Sequence, residues 1–421
     1  MNNKERLSLV IILIMLLASC GEKQHSPVSE LPPSSQALSV PDISEPSESD
    51  TAPATQDEPA PKILQEDKSY IFLERNTDAT DGGVTRLIEK MATEGLPFYK
   101  TALATNGLIA TDDVVLLKIN CQWAERGGTN TDLIKAVAEM IAAHPEDFTG
   151  EIIIADNGQG QYGTNGRGGS LDWSQPNSAL QDQSTMDVVN RLQGQMHISG
   201  YLWDDITVNR VSEFSEGDLT DGFVIEDGIL ETGLEISYPK FTTLYGTQVS
   251  FKRGIWDDAT ETYYPDKLKV INMPVLKSHG IYHVTGAVKS YMGVVASQLT
   301  GQRPHNSVGN GGMGTLMANT RMPVLNIIDM IWVGAGRGPG ATYDSAVSVN
   351  AIAASTDPAA LDYWAAKNIL LPELSESMRA NSAPDSNTPR SFGYWLRLSA
   401  TEIEKVGFRA ALDENEILML E

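Results

Sequence analysis

The chain has 421 residues, with 55 acidic against 31 basic side chains and a formal net charge of −24. That balance argues against nucleic acid, whose phosphates want a basic face. With only two cysteines, Cys20 and Cys121, a cysteine-ligated zinc or an iron–sulfur cluster is not expected.

Residues 1–20 read MNNKERLSLVIILIMLLASC. Lys4 and Arg6 form a basic start, and Leu7 to Leu17 is an apolar run too short for a comfortable span of about 20 residues. This is the form of an export signal. Its end, Leu17-Ala18-Ser19-Cys20, resembles a bacterial lipobox, which makes Cys20 the lipidated first residue of the mature chain. A lipid anchor holds a protein to a membrane without spanning it, with the folded part facing the periplasm or the cell exterior. Lipidation at Cys20 leaves Cys121 as the one remaining thiol. Residues 21–62 are rich in Pro, Ser, Thr and acids and poor in bulky apolar groups. Such a segment cannot bury enough surface to offset its ordering entropy, so it reads as a disordered acidic tether.

The folded part, 63–421, alternates strand and helix patterns. Strands are expected at Tyr70–Arg75, Asp113–Asn120 and Glu151–Asp156. Helices are expected at Gly83–Glu94 and Thr129–His144, the second capped by Thr131. Strand and helix in alternation predict an α/β fold with a mainly parallel sheet and crossover helices. The turn Asn157–Gly163 fits the G-x-G-x-x-G pattern after a strand, but no helix pattern follows to aim amides at a phosphate; a glycine-rich loop over the strand ends is expected. Residues 187–266 read as an irregular β-rich insertion in which Asp204, Asp205, Asp257 and Asp258 lie on a solvated face.

Next comes the segment with the most chemistry. From Lys267 to Ile328 there is no Asp or Glu, where about eight are expected from overall composition. The same stretch holds Lys277, His279, His283, Lys289, Arg303 and His305, with three of the chain's six histidines. Cations gathered at a cleft focus field on an anion. Further on, Val324–Met330 is an apolar strand carrying Asp329, an acid that needs a partner such as a lysine. Val347–Ala354 is another strand, and Asp357-Pro358 is a helix cap with Pro at the first helical position. A polar loop over 372–390, a helix over 390–401 and a last strand over 416–420 close the chain.

An ordered set of motifs is similar to the domain-of-unknown-function 362 family, over roughly residues 68–420. The motifs are Leu117-Lys118-Ile119-Asn120, Pro274-Val-Leu-Lys277-Ser-His279, Val284-Thr285-Gly286-Ala-Val-Lys289-Ser290-Tyr-Met-Gly293 and Arg303-Pro-His305, then Ile328-Asp329, Gly338-Pro339-Gly340 and Ala354–Asp362. The resemblance implies no reaction. Many relatives carry a ferredoxin-like iron–sulfur segment, whose cysteines this chain lacks. Where the family has Lys-Asn, this chain has Lys289-Ser290.

Together these readings predict one polar pocket at a sheet edge that receives an anionic small molecule. Lys118, Asn120, Lys277, Thr285, Lys289 and Arg303 bind it; His279 and His305 act as acid or base; Asp329 orients a histidine or pairs a lysine. A divalent metal is a further option, because His279-Gly-Ile-Tyr-His283 puts both rings on one face if helical, with His305 and Asp329 completing the site. The alternative is a tethered protein that binds a solute or an envelope component without chemistry. The oligomeric state is left open.

Overall fold

The computed structural model describes residues 64–160, 168–301 and 303–421. The expected export signal (1–20), the expected tether (21–62), with the cysteine expected to be lipidated, and residues 161–167 lie outside the described residues.

Two continuous apolar runs set the architecture. Val114–Lys118 (β2) and Glu151–Asp156 (β3) are buried along their whole length, as expected of parallel strands covered on both faces. They pair in parallel with each other. Leu268–Asn272 (β10) joins β2, and Ile198–Leu202 (β4) joins β3, again in parallel. Beyond β10 lie Leu325–Gly334 (β13), Ala346–Ser355 (β14), Ser69–Arg75 (β1) and Ile417–Leu420 (β15). β14 runs antiparallel between β13 and β1, so the sheet is mixed with mostly parallel strands.

Alternate side chains along each strand feed two cores. Val115, Leu117, Ile152 and Ile154 pack under the helices Gly83–Thr93 (α1), Thr131–Ala142 (α2) and Thr185–Leu192. Leu116, Ile153 and Ala155 face the opposite layer, which holds the segment 287–296, the C-terminal helices and a second sheet. Leu133, Ile134, Val137 and Ile141 of α2 are fully buried, each contributing roughly 1.5–3 kcal/mol by removal from water. The cap of α2 is Asn130 rather than Thr131: the Asn130 side chain accepts from the amides of Asp132 and Leu133. Thr131 is already helical, and its hydroxyl donates to the Gln183 carbonyl instead.

The β-rich insertion starts later than the sequence suggests. Helix Thr185–Leu192 and β4 belong to the main sheet, with β4 unrecognised because only Ile198 and Ser199 of its residues are buried. The insertion proper is a five-stranded antiparallel sheet of Gly222–Ile225 (β5), Ser237–Thr242 (β6), Gln248–Ser250 (β7), Gly254–Asp257 (β8) and Thr262–Tyr264 (β9). Phe223, Tyr238, Phe241 and Phe251 carry its core against Trp203 and Tyr291.

A hairpin matters most for the site. Val275–His279 (β11) pairs in parallel with β13 and antiparallel with His283–Thr285 (β12). Lys277 and His279 are therefore strand residues, and His279 lies opposite His283 across the hairpin rather than above it on a helix. Asp357 caps helix Pro358–Ala365 as expected; its other oxygen accepts from Ser69 and from the amide of Ala411. The segment 372–390, expected as a loop, contains helix Glu376–Ser382.

Candidate functional site

Parallel strands bring their carboxyl ends to one edge, where α/β folds place ligands. Here β2 delivers Lys118 and then Asn120, β3 delivers Asp156, Asn157 and Gln159, and β10 leads into β11 with Lys277. Thr285 faces Lys277 because the two are register partners in the hairpin. Lys289 follows on helix Ala287–Ser290, whose first amides are fixed by Asp362: it accepts from Ala287 (2.5 Å) and Val288 (3.0 Å). Gly286 permits that contact, since a Cβ there would stand 2.1 Å from Asp362 Oδ1.

These elements enclose a narrow polar pocket of about 40 Å3 lined by Asn120, Gln122, Asp156, Lys277, Thr285, Lys289 and Ser290, among others. A wider cavity of about 380 Å3 shares Gln122, Gln159, Lys289, Met292 and Pro339 with it, and adds Trp123, Ile281, His279 and His305.

The lysines divide into one that is paired and two that are not. Lys118 is fully buried with its Nζ 2.8 Å from Asp156 Oδ1. It also donates to Ile119 O (2.8 Å), Ser290 O (2.5 Å) and Ser290 Oγ (2.9 Å). No proton is left for a ligand, so Lys118 ties β2 to β3 and to the Lys289 helix instead of clamping an anion. Lys277 donates to the Gly127 carbonyl. Burial, and then Lys289, lower its pKa to about 7. Lys289 is buried and makes no hydrogen bond or ion pair among the described residues; burial, and then Lys118, lower it to about 8. Thr285 Oγ1 is buried and has no hydrogen-bond partner among the described residues. Ser290 Oγ accepts from Lys118 and from Asn120 Nδ2, while Asn120 Oδ1 accepts from the Val275 amide.

His279 Nδ1 accepts from the amides of Ile281 and Tyr282, both at 3.1 Å. The ring proton therefore sits on Nε2, and the imidazole is a neutral donor. Burial, and then Lys289, push its pKa far below the usual histidine range. The lone pair that general-base chemistry needs is already used. His305 lies beside it, the rings tilted with centroids 5.9 Å apart, and meets Tyr282 edge-on at 5.0 Å; burial, and then Lys289, lower His305 to about 4.

Two expected members lie elsewhere. Asp329 does not pair with a lysine. It accepts from the amides of Asn130 (2.8 Å) and Ile331 (3.0 Å) and from Asn177 Nδ2 (3.4 Å), joining β13 to the cap of α2; burial raises it to about 6. Arg303 is half-exposed and bonds Glu235 (2.9 Å) and the Thr300 carbonyl. Of the residues considered for a metal, Asp329 is engaged elsewhere, and no group of three or more His, Cys, Asp or Glu among the described residues is spaced to hold an ion.

Sequence reasoning missed Asp156, Gln122, Gln159 and Ser290 as site residues. Asp156 carried the same signal as Asp329, an acid within an otherwise largely apolar strand. It also missed Asp204, which is buried rather than solvated. Asp204 accepts from the amides of Gly158 (2.6 Å), Gly160 (3.4 Å), Gly168 (2.6 Å) and Gly169 (3.3 Å). The amides that a phosphate would use in a glycine-rich motif are filled by the chain's own carboxylate.

Residues 265–367 match the family described as Domain of unknown function (DUF362), so the chain carries a DUF362 domain over that segment. The match holds Lys277, Thr285, Lys289, His279 and His305, while Lys118, Asn120 and Asp156 precede it. No curated protein matches the chain.

Proposed function

We propose that this DUF362 domain-containing protein holds a small anionic organic molecule. Its charged end lies between Lys277, Lys289 and Thr285, and its body occupies the wider cavity beside His279 and His305. One observation carries the reading: two buried lysines share a pocket whose one carboxylate among the described residues, Asp156, is already paired with Lys118. Unpaired buried charge is expensive, and a bound anion would remove that expense through charge-assisted hydrogen bonds. The unpartnered Thr285 hydroxyl and the His279 Nε2–H supply neutral donors. Because His279 Nδ1 is occupied by backbone amides, binding is favoured over histidine base catalysis.

In the same reading the protein is an exported lipoprotein, anchored through Cys20 and held off the bilayer by residues 21–62. The support is the apolar run and the Leu17-Ala18-Ser19-Cys20 sequence. No helix of the described residues is long and apolar enough to cross a membrane.

Thermal melting with acetate, inorganic phosphate or pyruvate at constant ionic strength tests the binding reading. At least one of these anions should raise the melting temperature of the parent protein and leave Lys277→Met/Lys289→Met unmoved. Equal effects on both proteins would refute it.

A further inference from the structure

We propose that Lys289 is an imine-forming amine and that the ligand is a small 2-oxo acid. This deepens the anion-pocket reading and rests on it. The Lys289 amine is buried, has no hydrogen-bond or ion-pair partner among the described residues, and lines both the narrow pocket and the wide cavity. Lys277 lines only the narrow one. An anionic group held at Lys277 and a carbon facing Lys289 are therefore neighbours in the ligand, as the carboxylate and carbonyl of a 2-oxo acid are. The rest of such a molecule extends toward Trp123 and His305, in a cavity of about 380 Å3.

A lysine becomes nucleophilic when it is desolvated or placed beside another cation. Lys289 meets both conditions, lying in a buried pocket with Lys118 as a cationic neighbour. Its pKa of about 8 leaves part of it neutral near pH 7.5.

The neutral amine attacks the carbonyl carbon. The C–N bond forms, the carbonyl π pair moves to oxygen, and one amine proton follows it to give a carbinolamine. The Lys277 ammonium then protonates the hydroxyl. The C–O bond breaks, water leaves, and the nitrogen lone pair closes the C=N bond as a protonated imine. Lys277 is reprotonated from solvent. No oxidant or reductant takes part.

The test incubates the purified full chain with pyruvate and sodium cyanoborohydride and maps the modified peptides by mass spectrometry. The reduced adduct should sit on Lys289, at least about tenfold above that on any exposed lysine such as Lys405, as expected of an activated amine. Lys289→Arg should abolish the adduct while pyruvate still raises the melting temperature, because the charge is kept. If pyruvate stabilises the protein but the label falls on Lys277 or evenly on surface lysines, the imine assignment is overturned and the anion pocket stands. If pyruvate neither labels Lys289 nor stabilises, while phosphate does stabilise, the 2-oxo acid assignment alone is overturned. If no anion stabilises and nothing labels, both readings fall.

Discussion

Replacing Lys289 by methionine should stabilise the empty protein. Methionine keeps most of the side chain's length and apolar contact while removing a buried ammonium without a partner. In the unfolded chain the lysine has its ordinary pKa of 10.5; in the folded pocket it falls to about 8. Between those values the unfolded state binds more protons, so this group's contribution to stability rises with pH. Its penalty is fully present below about pH 8 and gone above about 10.5. A shift of this size corresponds to about 3 kcal/mol, an upper figure because part of it is mutual with the neighbouring lysines. Guanidinium unfolding at pH 6.5 should therefore show Lys289→Met more stable than the parent by about 1–3 kcal/mol. The gain should shrink at pH 9.5 and reverse in sign under a saturating anion. A variant less stable than the parent at pH 6.5 would make Lys289 a structural tie instead of an unpaired buried charge.

Three further perturbations separate scaffold from site. Asp156→Asn leaves Lys118 buried without its counter-ion, so urea unfolding should show a loss of about 3–5 kcal/mol, much of it recovered in Lys118→Met/Asp156→Asn. Gly286→Ala drives a Cβ into Asp362, at 2.1 Å from Oδ1 in the parent; stability should fall by roughly 1–3 kcal/mol, and the anion-induced melting shift should shrink as the Lys289 helix moves. Cys20→Ser should transfer the protein from the membrane fraction to the soluble fraction on cell fractionation, and unchanged membrane association would contradict lipidation.

The strands that sequence reveals best are those whose residues all agree. Glu151–Asp156 holds the apolar run Ile152–Ala155 between two acids and is buried from end to end, and Asp357-Pro358 announces its helix by cap chemistry alone. β11 was hidden because Val-Leu-Lys-Ser-His mixes polar with apolar groups. All five are buried, and the polar ones are buried because the hairpin turns them toward the pocket or into bonds such as that from Ser278 to the Gly336 carbonyl. The charge pattern singled out Lys277, Lys289, His279 and His305, which line cavities that share residues. It could not assign partners distant in the chain. Arg303 finds Glu235, Lys118 finds Asp156, Asp329 finds the amide of Asn130, and Asp204 finds glycine amides on either side of a loop. Each partner is chosen by the tertiary fold, and nothing local in sequence distinguishes a carboxylate that will meet an amide from one that will meet a lysine.

In the proposed site an anion neutralises Lys277 and Lys289 together. Calorimetric titration of the parent protein with pyruvate and with phosphate, in two buffers of different ionisation heat, tests it most directly. An anion raises both lysine pKa values from about 7 and about 8, so binding at pH 8 must take up protons. Uptake of about one proton or more is expected, with an affinity that falls by about tenfold to a hundredfold per pH unit above pH 8. Binding with no proton exchange and no pH dependence from about pH 6.5 to 9.5, or no binding of either anion, would contradict it.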